Sequence, residues 1–333
     1  MGTVEARMGD SRPLATISLD LDDKWSYMRT RGDARWQEFP SYLQVAVPRI
    51  LSFLAPRNLR LTFFVVGHDA ARTQNQDLLR AIVEEGHELG NHSYHHEPWL
   101  QRYTREDIKL EVLATHEELV RITGTAPVGF RGPGFSWSPS LIEVLAELDY
   151  SFDASSLPTV LAPLARAYFL KRSTLSEEER RHREGLFGTF RDGLRPVGPH
   201  FLTANGRRVV EIPVTTIPGL RTPFHLSYLM YLAEKSRPLM RAYFELALFL
   251  CRATGTPPSF LLHPLDFLDV EDAPELAFFP AMRVRWQDKL DVADEVLGRL
   301  VSCYSLRPMG EFAQHLRKEK LPVLAVHTGG ESQ

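Results

Sequence analysis

The chain has 333 residues, 44% of them hydrophobic and 24% charged, with a formal net charge of −3. This composition belongs to folded globular proteins rather than to disordered, collagen-like or membrane-embedded chains. The near balance of charge lacks the concentrated basic face of a nucleic-acid binder, and the two cysteines, Cys251 and Cys303, show no Cys-x-x-Cys spacing that would imply a disulfide framework or a thiolate zinc site.

In chain order, residues 1–15 carry Glu5, Arg7, Asp10 and Arg12 and lack the continuous apolar stretch of a secretory signal. Ala6 stands where an N-myristoylation pattern wants Ser or Thr. The expectation is a cytoplasmic protein. Short apolar runs then alternate with longer amphipathic segments, the pattern of β/α units around a mainly parallel sheet or barrel. Strands are expected at 15–21, 59–67, 87–91, 128–132, 150–154, 209–215, 259–265 and 303–308. Helices are expected over 75–85, stopping at Gly86, and from Thr104 to Gly124, where Thr104 and Asp107 have the spacing of a capping box. A third helix begins with Ser138 as N-cap and Pro139 at its first position.

Two long segments, 158–208 and 219–257, interrupt this alternation and are expected to be insertions in one domain spanning residues 1–333. Within the first, residues 176–184 (SEEERRHRE) fit either a solvated helix face with internal ion pairs or a polyanion-binding patch. The second is strongly apolar over 224–255. Lys235, Arg237, Pro238 and Arg241 break it before ~20 apolar residues accumulate, which excludes a transmembrane span. Two helices separated at Pro238 are expected instead.

Five groups of reactive side chains fall at or just after predicted strand ends, where β/α barrels place their active sites. Asp20 and Asp22 are one residue apart, so strand alternation sends them to one face, with Asp23 following in the loop. His92 and His96 are four apart, so one turn of helix would align both imidazoles as metal ligands; His95 could replace either. Arg131 precedes the turn Gly132-Pro133-Gly134 and could fix a carboxylate. Of Asp149 and Asp153, Asp153 lies nearer the C-terminal end of the fifth strand. His263, with Asp266 close behind, is placed to act as a general acid. Each feature alone also fits an ordinary turn or a structural histidine.

Together, Asp-x-Asp, His-Ser-x-x-His, Arg-x-Pro-x-Phe, an Asp before the first insertion and Leu-His-Pro resemble, in that order, the polysaccharide deacetylase family. This family is also called the NodB-homology domain or carbohydrate esterase family 4. The resemblance covers roughly residues 14–316. It implies a distorted (β/α)7 barrel that removes acyl groups from N-acylated sugars with one divalent metal ion, typically zinc. It also implies Asp20 as base, Asp22, His92 and His96 as metal ligands, Arg131 positioning the base, His263 as acid, and Asp153 as the carboxylate behind that acid. The commonest family pattern has two adjacent aspartates, whereas here one residue separates Asp20 from Asp22. That spacing is similar to a subgroup that includes deformylases of lipid-linked aminosugars and cytoplasmic amide hydrolases. A pairing of Asp22 as base with Asp23 as ligand stays open, as does the substrate: an oligosaccharide, a nucleotide-linked sugar or a lipid-linked sugar. Cyclic-amide hydrolysis on the same barrel and a carbohydrate-binding barrel without catalysis are the rival readings.

Overall fold

A computed structural model describes residues 12–164, 167, 175 and 192–326. Its organising strand is β1 (Leu14–Leu21), whose side chains are buried on both faces: Ala15, Ile17, Leu19 and Leu21 on one, Thr16, Ser18 and Asp20 on the other. A strand enclosed on both faces belongs to the middle of a parallel sheet covered by helices. β1 accordingly pairs in parallel with β2 (Thr62–Val65), β8 (Ser259–Leu262) and β9 (Ser305–Arg307).

From β2 the sheet runs in sequence order through β3 (Glu88–Asn91), β4 (Gly129–Phe130) and β5 (Phe152–Asp153) to β7 (Arg207–Glu211), every pairing parallel. Beyond β7 the chain stays close to β8 but forms no regular ladder with it. Thr215 closes the seam, its N–H donating to the Ser259 carbonyl at 3.1 Å and its hydroxyl accepting from the Ser259 N–H at 2.8 Å. Seven parallel strands (β1–β5, β7 and β8) thus curl into a distorted barrel whose last joint is a single residue wide.

The helices pack outside: α1 (Lys24–Arg31), α2 (Leu43–Leu54), α3 (Gly67–Ala71), α4 (Thr73–Glu84), α5 (Arg105–Thr123), α6 (Pro139–Glu147), α7 (Leu226–Lys235), α8 (Arg237–Ala253), α9 (Trp286–Cys303) and α10 (Met309–Leu316). The predicted caps are in place. Thr104 accepts from the Asp107 N–H, Ser138 accepts from the Leu141 N–H, and Gly124 closes α5 at φ 70°. No described helix is long and apolar enough to cross a membrane.

Several expectations change. All eight predicted strands form, most of them shortened, with β1 and β7 starting one and two residues earlier than expected, but two more were not foreseen. β6 (His200–Ala204) lies inside the first expected insertion and forms an antiparallel hairpin with β7, and β10 (Val323–Ala325) adds to β6. The hairpin turn is Asn205-Gly206, both at positive φ, a pair that favours this tight connection. The expected break at Pro238 falls at Ser236, whose hydroxyl caps α8, while Pro238 sits in the first turn where it disrupts no hydrogen bond. Residues 176–184 lie outside the described residues.

Phe152 of β5 packs directly against Gly129 of β4. A Cβ at Gly129 would lie inside the van der Waals surface of the fully buried Phe152 ring. Gly129→Ala is therefore expected to destabilise the fold by about 1–3 kcal/mol through overpacking, read as a lowered midpoint in chemical denaturation with an unchanged slope.

Candidate metal and acid–base site

Because the seven strands are parallel, their C-terminal ends share one rim, and the reactive side chains collect there. Asp20 is the penultimate residue of β1. Its Oδ1 accepts from Arg131 Nη1 at 2.6 Å, and the same nitrogen donates to Ser18 Oγ at 2.9 Å. Arg131 follows β4 and is fully buried. Its Nε donates to the Ala154 carbonyl, and its guanidinium lies 4.3 Å over the Phe64 ring.

Asp22, just past β1, faces the two histidines expected as its partners. Its Oδ1 lies 2.9 Å from His96 Nε2 and 3.4 Å from His92 Nε2. One potential ligand atom from each of the three residues lies within 4.8 Å of the others, and all three side chains are buried. Burial alone would raise the Asp22 carboxyl, but His96 and His92 outweigh it and hold the group well below the usual carboxylate range. Burial likewise opposes charge on His92, yet Asp22 and Asp20 push that imidazole above its ordinary value.

The histidines converge by a different route from the one the spacing suggested. Residues 92–96 form a loop, with Ser93 and His96 at φ 58° and 52°. Left-handed backbone at non-glycine residues persists where surrounding contacts impose it. Here the Glu111 carboxylate of α5 accepts the N–H groups of Tyr94 and His95 at 3.0 and 2.9 Å, and also meets the His95 ring at 2.6 Å. The His95 ring is thereby turned outward, 57% exposed and away from the cluster. The Asn91 side chain holds the loop's start through the Ser93 N–H.

His92 Nδ1 is 2.7 Å from the Arg131 carbonyl, which can only accept, so Nδ1 carries the proton and Nε2 faces Asp22. Such a bond is how proteins fix the tautomer of a metal-binding imidazole. Two imidazole nitrogens meeting a single carboxylate oxygen in a dry pocket are compatible with each other either as extra-protonated rings or around a cation. The donor set of one carboxylate and two imidazoles fits a catalytic zinc-type ion with an open coordination position. Trp25, held by its N–H···Oδ1 bond to Asp69 at 2.8 Å, stands edge-on to His96 at 6.2 Å and walls the cluster.

Asp23 points elsewhere. It caps α1, its Oδ1 accepting from the Lys24 and Tyr42 N–H groups, and burial together with nearby Asp69 pushes its carboxyl up to about 6. Between the two pairings left open by the sequence, the geometry brings Asp22 to the histidines and Asp20 to Arg131.

His263 follows β8 and caps a short turn, Pro264–Asp266. Its Nδ1 meets Ser227 Oγ at 3.1 Å, and its N–H donates to Asp266 Oδ2 at 2.9 Å. Burial raises the Asp266 carboxyl despite the neighbouring His263. The buried Lys289 of α9 donates to the Leu265 and Leu268 carbonyls at 2.8 and 2.5 Å and fixes this turn. His225, 5.9 Å from His263 ring to ring, is pushed down to about 3 by burial and then by His263 and Arg131, so it is neutral at ordinary pH.

Among the described residues Asp153 makes no hydrogen bond to His263, contrary to the expectation that it stands behind that ring, and the Asp266 carboxylate holds the His263 backbone N–H rather than a ring nitrogen. Asp153 accepts from Ser155 Oγ at 2.6 Å, and that hydroxyl accepts from the Gly132 N–H at 2.8 Å. Across the sheet Asp153 is in register with Glu211, and both are fully buried. Burial first, then the Asp153 charge, raises the Glu211 carboxyl well above its usual range. Glu111, Ser227, His225, Lys289 and Glu211 all escaped the sequence reading. Only Glu211 left a signal, as a lone carboxylate inside the apolar run VVEIPVT.

The family model for polysaccharide deacetylases matches residues 16–152, the stretch that supplies Asp20, Asp22, His92, His96 and Arg131. This stretch is similar to the polysaccharide deacetylase family. Within it, the chain is 36% identical over 86 residues to the peptidoglycan-N-acetylglucosamine deacetylase of Bacillus cereus, which is 26% of this chain and 30% of that protein. It is 40% identical over 77 residues to the peptidoglycan-N-acetylmuramic acid deacetylase PdaA of Bacillus subtilis, 23% of this chain and 28% of that protein. Each alignment thus spans less than a third of the relative's length. Over nearly the whole chain the fold is similar to that of a Mycobacterium smegmatis protein assigned to the polysaccharide deacetylases, with TM-score 0.59, 18% identity and coverage of 97% and 96% of the two chains. It is also similar to the allantoinase PuuE, with TM-score 0.55, 14% identity and coverage of 93% and 92%. The deacetylase fold therefore extends past the matched residues to the part carrying His263.

The raised Glu211 carboxyl has a thermodynamic consequence. It holds its proton to higher pH folded than unfolded, so above the ordinary carboxylate value of 4.5 unfolding releases a proton and this group's contribution to stability falls as pH rises. Glu211→Gln keeps the acceptor for the Ser156 N–H and removes the titration. The melting temperature of the variant minus that of the wild type is expected to increase steadily from pH 4.5 to pH 8, as measured by calorimetry; a flat difference would mean the carboxyl is ionised in the folded protein.

Proposed function

We propose that this chain is a metal-dependent hydrolase that cleaves an N-linked acyl group from an N-acylated carbohydrate. The observation that carries the reading is the convergence of Asp22, His92 and His96 on one rim with the Asp20–Arg131 pair and His263, within a chain whose residues 16–152 match the polysaccharide deacetylase model. Asp22, His92 and His96 would hold one divalent cation. Zinc suits a set of two imidazoles and one carboxylate. A divalent ion in such a site would supply Lewis acidity, which brings the pKa of water down to about 7 and polarises an acyl oxygen.

The remaining steps belong to the chain. Asp20, held by Arg131, accepts the proton of the attacking water as the C–O bond forms. His263 protonates the nitrogen as the C–N bond breaks, releasing carboxylic acid and free amine. Ser227 and Asp266 hold that ring and its backbone in place. The curated relatives are named for peptidoglycan sugars, and an N-acetylated amino sugar, in a polymer or its precursor, is the substrate class this reading favours. The Asp-Leu-Asp spacing on β1 supports a second reading, in which the acyl group is formyl or the amide is cyclic.

Three variants and one substrate panel test the proposal. His92→Ala is expected to lose bound metal and activity together. His263→Ala is expected to keep its metal and lose about 10²–10⁴ in turnover. His95→Ala is expected to keep its metal, because its ring faces Glu111. Elemental analysis of the purified proteins checks all three; full metal occupancy in the His92 variant rejects the ligand assignment. Wild-type protein incubated with N-acetylated oligosaccharides, nucleotide sugars, lipid-linked sugars and a cyclic amide is expected to release acetate from at least one of the sugars. Release of formate, or ring opening without acid release, selects the second reading.

A further inference from the structure

Helix α8 buries Met240, Phe244, Ala247, Leu248 and Cys251 against the barrel. Its opposite face should be polar, and it is not. Leu239, Ala242, Leu246, Phe249 and Ala253 are all exposed, with Leu239, Leu246 and Phe249 at 54%, 42% and 65% of their full accessibility. Isolated exposed apolar side chains are normal on soluble proteins. These five recur at intervals of three, four, three and four, which places them in one continuous stripe of the a/d kind that seals a helix against another helix.

The charges beside the stripe indicate what covers it. Along the border next to α9, Arg241 pairs with Glu295, and Glu245 pairs with Arg299 at 2.5 and 2.8 Å. Arg252 follows two turns after Glu245 on the same border and has no ion-pair partner among the described residues. A lipid surface would be met by charges of one sign, but here the signs alternate. Glu245 and Arg252 are seven residues apart, opposite in sign and equivalent in position. When α8 is laid antiparallel on a second α8, Glu245 of each copy meets Arg252 of the other, and a two-fold axis makes both pairs at once. A cleft of about 460 Å³ lies between α8 and α9 at this end of the stripe, lined by Leu248, Phe249, Arg252, Arg299 and Cys303. It offers an apolar side chain from the second copy a concave seat.

We propose that the exposed stripe of α8 is a self-association face, on which two copies of this chain pack α8 against α8 in antiparallel orientation. A helix of this length presents only about 25 Å of seam, so the dimer is concentration-dependent rather than obligate. The border charges set the orientation, because a parallel pair would bring Glu245 against Glu245 and Arg252 against Arg252.

Sedimentation velocity of the full chain from about 1 to about 200 µM, a range suited to a small interface, tests this. The wild type is expected to shift from monomer to dimer across the series. Leu246→Glu and Phe249→Glu are expected to stay monomeric, with thermal midpoint and metal content unchanged because both side chains are solvent-facing. Glu245→Arg is expected to weaken the dimer at least tenfold, and Glu245→Arg combined with Arg252→Glu to recover it. A wild type that is monomeric throughout, a dimer that survives both glutamate variants, or a monomer that instead co-sediments with phosphatidylserine vesicles overturns the proposal.

Discussion

Removing the guanidinium of Arg131 from water is expensive, and the site is built around what compensates that cost. An unpaired charge in a fully enclosed position would cost several kcal/mol. Arg131 meets it with Asp20 and Ser18 from β1, the Ala154 carbonyl beyond β5 and the Phe64 ring of β2. Those partners come from three different strands, so the barrel must be closed correctly before the charge is satisfied. The same residue's carbonyl fixes the tautomer of His92. One buried cation thereby links the carboxylate proposed as base to the imidazole proposed as metal ligand, and a shift in its position would disturb both.

The outer contacts of the site follow the same logic. A loop with two left-handed residues stores strain, and the buried Glu111 carboxylate offsets it by collecting two backbone N–H groups and one imidazole. Lys289 does the complementary thing on the far side of the rim, gathering carbonyls of the turn that follows His263. Neither residue faces the converging donors. Both define where those donors can be.

The barrel's weakest joint lies at the seam between β7 and β8, where Thr215 stands in for a ladder. The β6–β7 hairpin lengthens the sheet on this side, with β10 beyond it. The rim there carries the buried carboxyls of Asp153 and Glu211, and Asp153 reaches the Gly132 N–H through Ser155. Polar satisfaction on this side is made from side chains rather than strand pairing.

Local chemistry made much of this visible in the chain itself. Apolar runs between glycine and proline placed eight strands, and Thr104, Ser138 and Gly124 marked helix ends, because capping and burial on a strand act over a few residues. The expectation of a barrel, and the candidates Asp20, Asp22, His92, His96, Arg131, Asp153 and His263, came from motif order read on the same scale. Which groups meet was decided only by the fold. The ring of His95 is as close in sequence to Asp22 as its neighbours are, but Glu111, sixteen residues further on, turns it to solvent. Asp153 ended opposite Glu211 because strand register set that distance, and Asp266 took the His263 backbone N–H in a turn that a helix-borne lysine holds. Sequence fixes what each side chain can do over one turn or one strand; convergence of charges from separate strands depends on how the sheet closes, and that is a property of the whole chain.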